Sequence, residues 1–153
     1  MVQKRIFLIF AITFTFLTMT KAKAQSFKLE FDHNAILVKN LTESADFYLN
    51  IIGLEEIENK TKKSHIRWFS LGQGTSLHVI EDKNHKVPDV KGVHFALHTK
   101  DLDGFIAHLR ENNIPFENWP GEANTTNTRP DNVRQIYLRD PNGYWIEVND
   151  DNY

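Results

Sequence analysis

Three histidines and one glutamate carry the chemistry that this chain could do. His33 and His94 each open a short apolar stretch, and His78 and Glu147 sit inside two later ones. Imidazole and carboxylate together suit a borderline divalent ion such as Zn, Ni, Co, Fe or Mn, and the donor types alone do not choose among these. A six-coordinate ion held by four side chains keeps two positions open for water or a bidentate substrate, which a Lewis-acid site requires. Each residue alone has a plainer reading. A strand His is more often packed or at the surface, and Glu147 alone could be an edge charge that discourages aggregation. Four such residues at repeat-equivalent positions favour the metal reading.

The equivalence comes from a duplication. In the first half, Asp32 to Val38 reads as a strand, and Asn40 caps a helix running to about Ile52, stopped by Gly53. Leu41, Ala45, Tyr48, Leu49 and Ile52 give that helix one apolar face. Three strand candidates follow, at Leu54 to Asn59, His65 to Leu71 and Ser76 to Glu81. The second half repeats the order: a strand from Val93 to Thr99, a helix capped by Asp101 with Leu102, Phe105, Ile106 and Leu109 on one face, and a short strand from Phe116 to Trp119. A polar loop, Gly121 to Asn132, leads to Val133–Arg139 and a last strand. His33-x-Ala35 matches His94-x-Ala96, Lys39-Asn40-Leu41 matches Lys100-Asp101-Leu102, and Leu77-His78-Val79 matches Ile146-Glu147-Val148. The unit is βαβββ, used twice, with module one at about 30–82, a polar linker at 83–91 and module two at about 92–150. A pseudo-twofold between the units would bring the four side chains near one axis.

Asp140-Pro141-Asn142-Gly143 is a tight-turn signal ahead of the last strand. Alternation along that strand puts Glu147 opposite Ile146 and Val148 and on the face of Trp145.

The chain has 153 residues, 41% hydrophobic and 25% charged, an ordinary composition for one globular domain. The first 24 residues read as a secretory signal: a basic start at Lys4-Arg5, an apolar run from Ile6 to Thr20, and a small-residue site at Ala22-x-Ala24. Cleavage after Ala24 leaves residues 25–153 as a single domain and removes four basic residues and no acid, so 14 Lys and Arg face 20 Asp and Glu, a net charge of −6. A mildly acidic domain without a basic run is a poor partner for nucleic acid or anionic lipid. Cysteine is absent, which excludes disulfides, thiolate metal sites and Cys nucleophiles. The expected product is periplasmic or secreted, with no stable membrane association once the signal is removed.

From Phe31 to Val148 the chain resembles the vicinal oxygen chelate superfamily, which includes glyoxalase I, bleomycin-resistance proteins, extradiol dioxygenases, fosfomycin-resistance thiol transferases and methylmalonyl-CoA epimerase. The resemblance rests on His33 before a short strand, on Asp46-Phe47-Tyr48 to Ile52-Gly53-Leu54, on His94, and on Asp140-Pro-Asn-Gly-Tyr-Trp-Ile-Glu147. It implies an α+β fold in which two tandem βαβββ modules form a curved mixed sheet around a metal-binding cleft. It also implies a divalent metal cofactor and a small-molecule substrate chelated through vicinal oxygens. The reaction would be of lyase, isomerase or dioxygenase type. In the dioxygenases and thiol transferases the ligands are His, His and Glu, which His33, His94 and Glu147 match. Glyoxalase I has Glu, and the epimerase Gln, where this chain has His78. That departure removes a carboxylate and a candidate base. Glu147 would then be both ligand and, on detaching, the base. An exported protein is also remote from cytosolic glutathione and CoA substrates. The alternative is a non-catalytic protein of the same fold that sequesters a small molecule, as in resistance. Members of this fold often dimerise.

Other residues invite lesser roles. His98 shares a strand face with His94 and reads first as a packed or exposed His, with an acid-base role as the alternative. Arg67, Trp68, Trp119, Arg129 and Tyr137 are candidate pocket walls or anion clamps, while His65, His85 and His108 read as surface residues. Asn40 and Asn124 match the glycosylation pattern, but Asn40 is better explained as a cap.

Overall fold

Strand order is the same in both halves of the computed structural model, which describes residues 28–152. The expected signal segment, residues 1–24, lies outside the described residues. From Phe31 onward the chain is one compact unit. Module one contains β1 (His33–Val38), α1 (Leu41–Asn50), β2 (Glu56–Ile57), β3 (Ile66–Gly72) and β4 (Thr75–Glu81). Module two contains β5 (His94–His98), α2 (Leu102–Glu111), β6 (Phe116–Glu117), β7 (Asn127–Thr128), β8 (Arg134–Arg139) and β9 (Trp145–Asn149). One sheet runs β1-β4-β3-β2 and the other β5-β9-β8-β6, with the two-residue β7 added against β8. In each sheet the first and last strands of the module lie side by side in parallel and the remaining pairs are antiparallel. The fold is α+β, built from two βαβββ-like units whose mixed sheets are curved and not closed.

The elements form where local chemistry allows. Asn40 caps α1 by accepting from the Glu43 N–H at 3.2 Å, and Asp101 caps α2 by accepting from the Gly104 N–H at 2.8 Å. A Cβ on Gly104 would lie 2.2 Å from the Asp101 carboxylate, so a larger residue there would displace the capping side chain. Two strand candidates are shorter than expected. Leu54 to Asn59 contributes only Glu56–Ile57, and Phe116 to Trp119 only Phe116–Glu117. In the opposite direction, the loop Gly121 to Asn132 contains β7, whose Asn127 pairs with Gln135.

The apolar faces of both helices and both sheets join in one core. Tyr48, Phe69, Leu77 and Val79 from module one and Leu102, Leu109, Ile136 and Ile146 from module two are all essentially inaccessible. Burying a side chain of this kind contributes about 1.5–3 kcal/mol each.

Polar contacts between the modules concentrate at the Asp140 turn. Gly143 has φ +100°, which the turn requires and an L side chain resists. Asp140 accepts from the N–H groups of Asn142 and Tyr144 at 2.8 and 2.9 Å, closing the turn, and from the Tyr48 hydroxyl of α1 at 3.0 Å. Asn142 reaches module one twice, accepting from the Lys39 N–H at 2.8 Å and donating to Ser44 Oγ at 2.9 Å. Tyr144 Oη accepts from the Leu37 N–H of β1 and lies 3.1 Å from His85 Nε2.

Burial raises the Asp140 carboxyl above its ordinary range, outweighing the hydrogen bonds that favour the charged form. An acid whose folded value is raised stabilises the fold below its unfolded value, and that contribution is lost as pH rises through the folded value. Asp140→Asn therefore removes a loss of stability that wild type shows from the ordinary aspartate range upward, as urea unfolding across pH should show. Tyr48→Phe should cost about 1–2 kcal/mol at neutral pH in the same assay.

Candidate active site

Two pairs of the predicted donors meet. Ala35 lies opposite His78 in the β1–β4 pairing, and Ala96 lies opposite Glu147 in the β5–β9 pairing. His78 and Glu147 are thus register-equivalent, as the duplication predicts. Within module one, the His33 and His78 rings stack at 4.3 Å and 14°, and His78 stacks in turn on Trp68 at 4.0 Å and 6°. His33 Nδ1 faces Asp32 and His78 Nε2 lies 3.0 Å from Ser76 Oγ. Burial, then the neighbouring His33, holds His78 below the ordinary imidazole range, so it favours the neutral, ligating form. The Trp68 indole N–H is buried with no hydrogen-bond partner.

Module two holds the more developed arrangement. Every residue of β9 is buried, and Glu147 is 4% exposed. Its Oε2 accepts from the Tyr137 hydroxyl at 2.6 Å, and its Oε1 from Asn149 Nδ2 at 2.7 Å and Arg129 Nη1 at 3.2 Å. Burial first, then the bond to Glu147, raises Tyr137 far above the ordinary phenol range, so it keeps its proton as a donor. His94 Nε2 lies 3.3 Å from Glu147 Oε2, while His94 Nδ1 lies 2.8 Å from the Lys91 carbonyl. A carbonyl only accepts, so Nδ1 carries the proton. In the neutral ring Nε2 then turns a lone pair toward a carboxylate oxygen, an arrangement that a proton or a metal ion between the two would complete.

The four donors fit a divalent ion by type, and the Nδ1–carbonyl bond of His94 is the support that metal-binding imidazoles commonly have. One chain brings them together two at a time. Among the described residues no group of three or more His, Asp or Glu side chains is arranged to hold a metal. The pairs belong to different sheets, and β1 and β5 end those sheets without pairing to each other. A cavity of about 760 Å³ is lined by residues of both edges, including Ala35, Ile36, Phe95 and Leu97, and reaches His94 and His98 but not Glu147.

The lesser candidates divide. Tyr137 and Arg129 contact Glu147 directly, so the anion that Arg129 clamps is the protein's own; the guanidinium also bonds Asp131 and Asp151. Trp68 extends the histidine stack, and Trp119 packs 5.4 Å from Tyr137. Arg67 is not at the site: it sits on the other face of β3 and forms a two-toothed pair with Glu56. His98 lies opposite Asn149 at the exposed end of β5. Sequence reasoning missed Asn149 and Lys91. Asn149 could have been found, since it stands two residues beyond Glu147 on the same strand face. Lys91 gave no signal within a polar linker.

Known proteins resemble this chain along almost its whole described length. An uncharacterised protein of Bacillus subtilis, YwbC, is 25% identical over 122 residues, covering 76% of this chain and 93% of that one. A Bacillus anthracis structure assigned to the glyoxalase family superposes with a TM-score of 0.66 at 24% identity, covering 84% of this chain and 99% of that one. The fosfomycin resistance protein FosX of Listeria monocytogenes gives a TM-score of 0.63 at 19% identity, covering 82% and 96%. The sequence profile of one family spans residues 30–148, both modules and all four candidate donors. The chain belongs to the Glyoxalase/Bleomycin resistance protein/Dioxygenase superfamily.

Proposed function

We propose that this protein is an exported, metal-dependent enzyme of its superfamily, acting on a small substrate chelated through vicinal oxygens, by lyase, isomerase or dioxygenase chemistry. The observation that carries the reading is the gap between His94 Nε2 and Glu147 Oε2, with the proton of His94 committed to the other nitrogen. His94 and Glu147 would hold a divalent ion from one side, and His33 and His78 from the other. The ion would polarise a substrate oxygen. Tyr137, Asn149 and Arg129 fix the Glu147 carboxylate in place, and Tyr137 keeps a proton next to it. Glu147 is the base where the reaction needs one.

We further propose that the two donor pairs are joined between two copies of the chain. The separation of the pairs in one chain and the edges of β1 and β5, unpaired among the described residues, support this. The binding-protein reading keeps one observation in its favour: Glu147 already has a cationic partner in Arg129.

Elemental analysis of the mature protein, from Gln25 onward, should find about one divalent ion per chain, absent from a His94→Ala, Glu147→Ala double variant. No metal after reconstitution with Fe, Ni, Zn, Co or Mn would sink the enzyme reading and leave the binding module. Iron points to oxygen chemistry, checked by oxygen uptake; nickel or zinc points to isomerase or lyase chemistry. For the shared site, His33→Ala and Glu147→Ala chains should each lose the ion, and refolding them together should restore part of it. No recovery in the mixture would mean that each chain builds its own site. N-terminal sequencing of exported protein should begin at Gln25.

A further inference from the structure

We propose that Lys91 is a positioning residue for His94, whose ammonium group determines which ring nitrogen of His94 is left open to a cation. The inference rests on the reading of His94 and Glu147 as a cation-holding pair.

Lys91 is unusually well held for a linker residue. Its side chain is 17% exposed. The ammonium bonds the Glu117 carboxylate, the Asn118 carbonyl at 2.6 Å and the Trp119 carbonyl at 3.0 Å, so each of its three N–H groups has an acceptor. It also stands 5.0 Å from the ring centres of Tyr137 and Trp145 and 5.9 Å from that of Trp119, within cation–π range of all three. The main chain at Lys91 is thereby tied to the end of β6, and its carbonyl is aimed at His94 Nδ1, 2.8 Å away.

That carbonyl matters because the neutral imidazole of His94 has one proton and two acceptors competing for it. Left to itself, the proton gains more on Nε2, where it would donate to a carboxylate in a charge-assisted bond. His94 and Glu147 would then close on each other, with an N–H where a metal ion has to enter. The fixed Lys91 carbonyl holds the proton on Nδ1 and keeps the Nε2 lone pair available. If Lys91 merely pins the linker, its loss lowers stability and leaves the tautomer where it was.

Long-range proton–nitrogen correlation spectra of metal-free, ¹⁵N-labelled protein, recorded above the ordinary imidazole range, read the tautomer directly. Wild type should carry the His94 proton on Nδ1. Lys91→Met keeps most of the stem and removes the ammonium; the proton should move to Nε2, and Zn²⁺ affinity by titration calorimetry should fall about tenfold. Glu117→Gln weakens the same anchor without touching the lysine and should move both readouts the same way, by less. If Lys91→Met does not fold, Glu117→Gln decides. An unchanged tautomer in the folded variants overturns the proposal, as does a wild-type proton on Nε2. A tautomer that shifts as expected in a wild type that binds no metal upholds the positioning role and removes the cation reading instead.

Discussion

The Asp140 carboxylate is the constraint on which the arrangement of both modules turns. One side chain closes the hairpin before β9 through two backbone N–H groups and reaches Tyr48 on the first helix. A buried carboxylate is costly unless its oxygens are matched, and here the matching groups come from both halves of the chain. The same turn sends Asn142 to Ser44 and Lys39, and places Tyr144 against β1. β9 therefore starts from a point fixed against module one, and Glu147 is the third residue along it.

From that start, the electrostatics of Glu147 follow. Four groups converge on its two oxygens: a phenol, a carboxamide, a guanidinium and an imidazole. The guanidinium is shared with Asp131 and Asp151, so three carboxylates surround one permanent cation. The region retains an excess of negative charge, which favours a further cation beside Glu147. Module one provides a different environment, rings stacked face to face, with His78 depressed toward its uncharged form.

Much of this was legible in the sequence because duplication is a long-range signal carried by short motifs. The spacing of His33 to Leu41 and His94 to Leu102, both helix caps, and the alignment of His78 with Glu147 anticipate the elements and the register in which they pair. The same duplication led to the expectation that all four donors meet near one axis, whereas one chain joins them in two pairs because each pair belongs to its own sheet. What was hidden depends on where unlike segments fold against each other. Lys91 lies in a stretch without periodicity, and only the fold brings the rings of Trp119, Tyr137 and Trp145 around it. Arg67 and Trp68 are neighbours on one strand and looked equally placed for the site, yet alternation sends one to Glu56 and the other to His78. The linker looked like a spacer, but Asp89 binds Arg139 and Trp145, and His85 stacks on Tyr144.

The register match of His78 with Glu147 bears on selectivity. Two identical units around a common axis would offer the same surroundings to both ends of a ligand, and an unsymmetrical molecule could enter either way round. Here the equivalent positions differ: a ring between two other rings in one unit, an anion among proton donors in the other. Inherited symmetry supplies the frame, and in the proposed shared site the difference between these two residues would give a bound ligand a head and a tail.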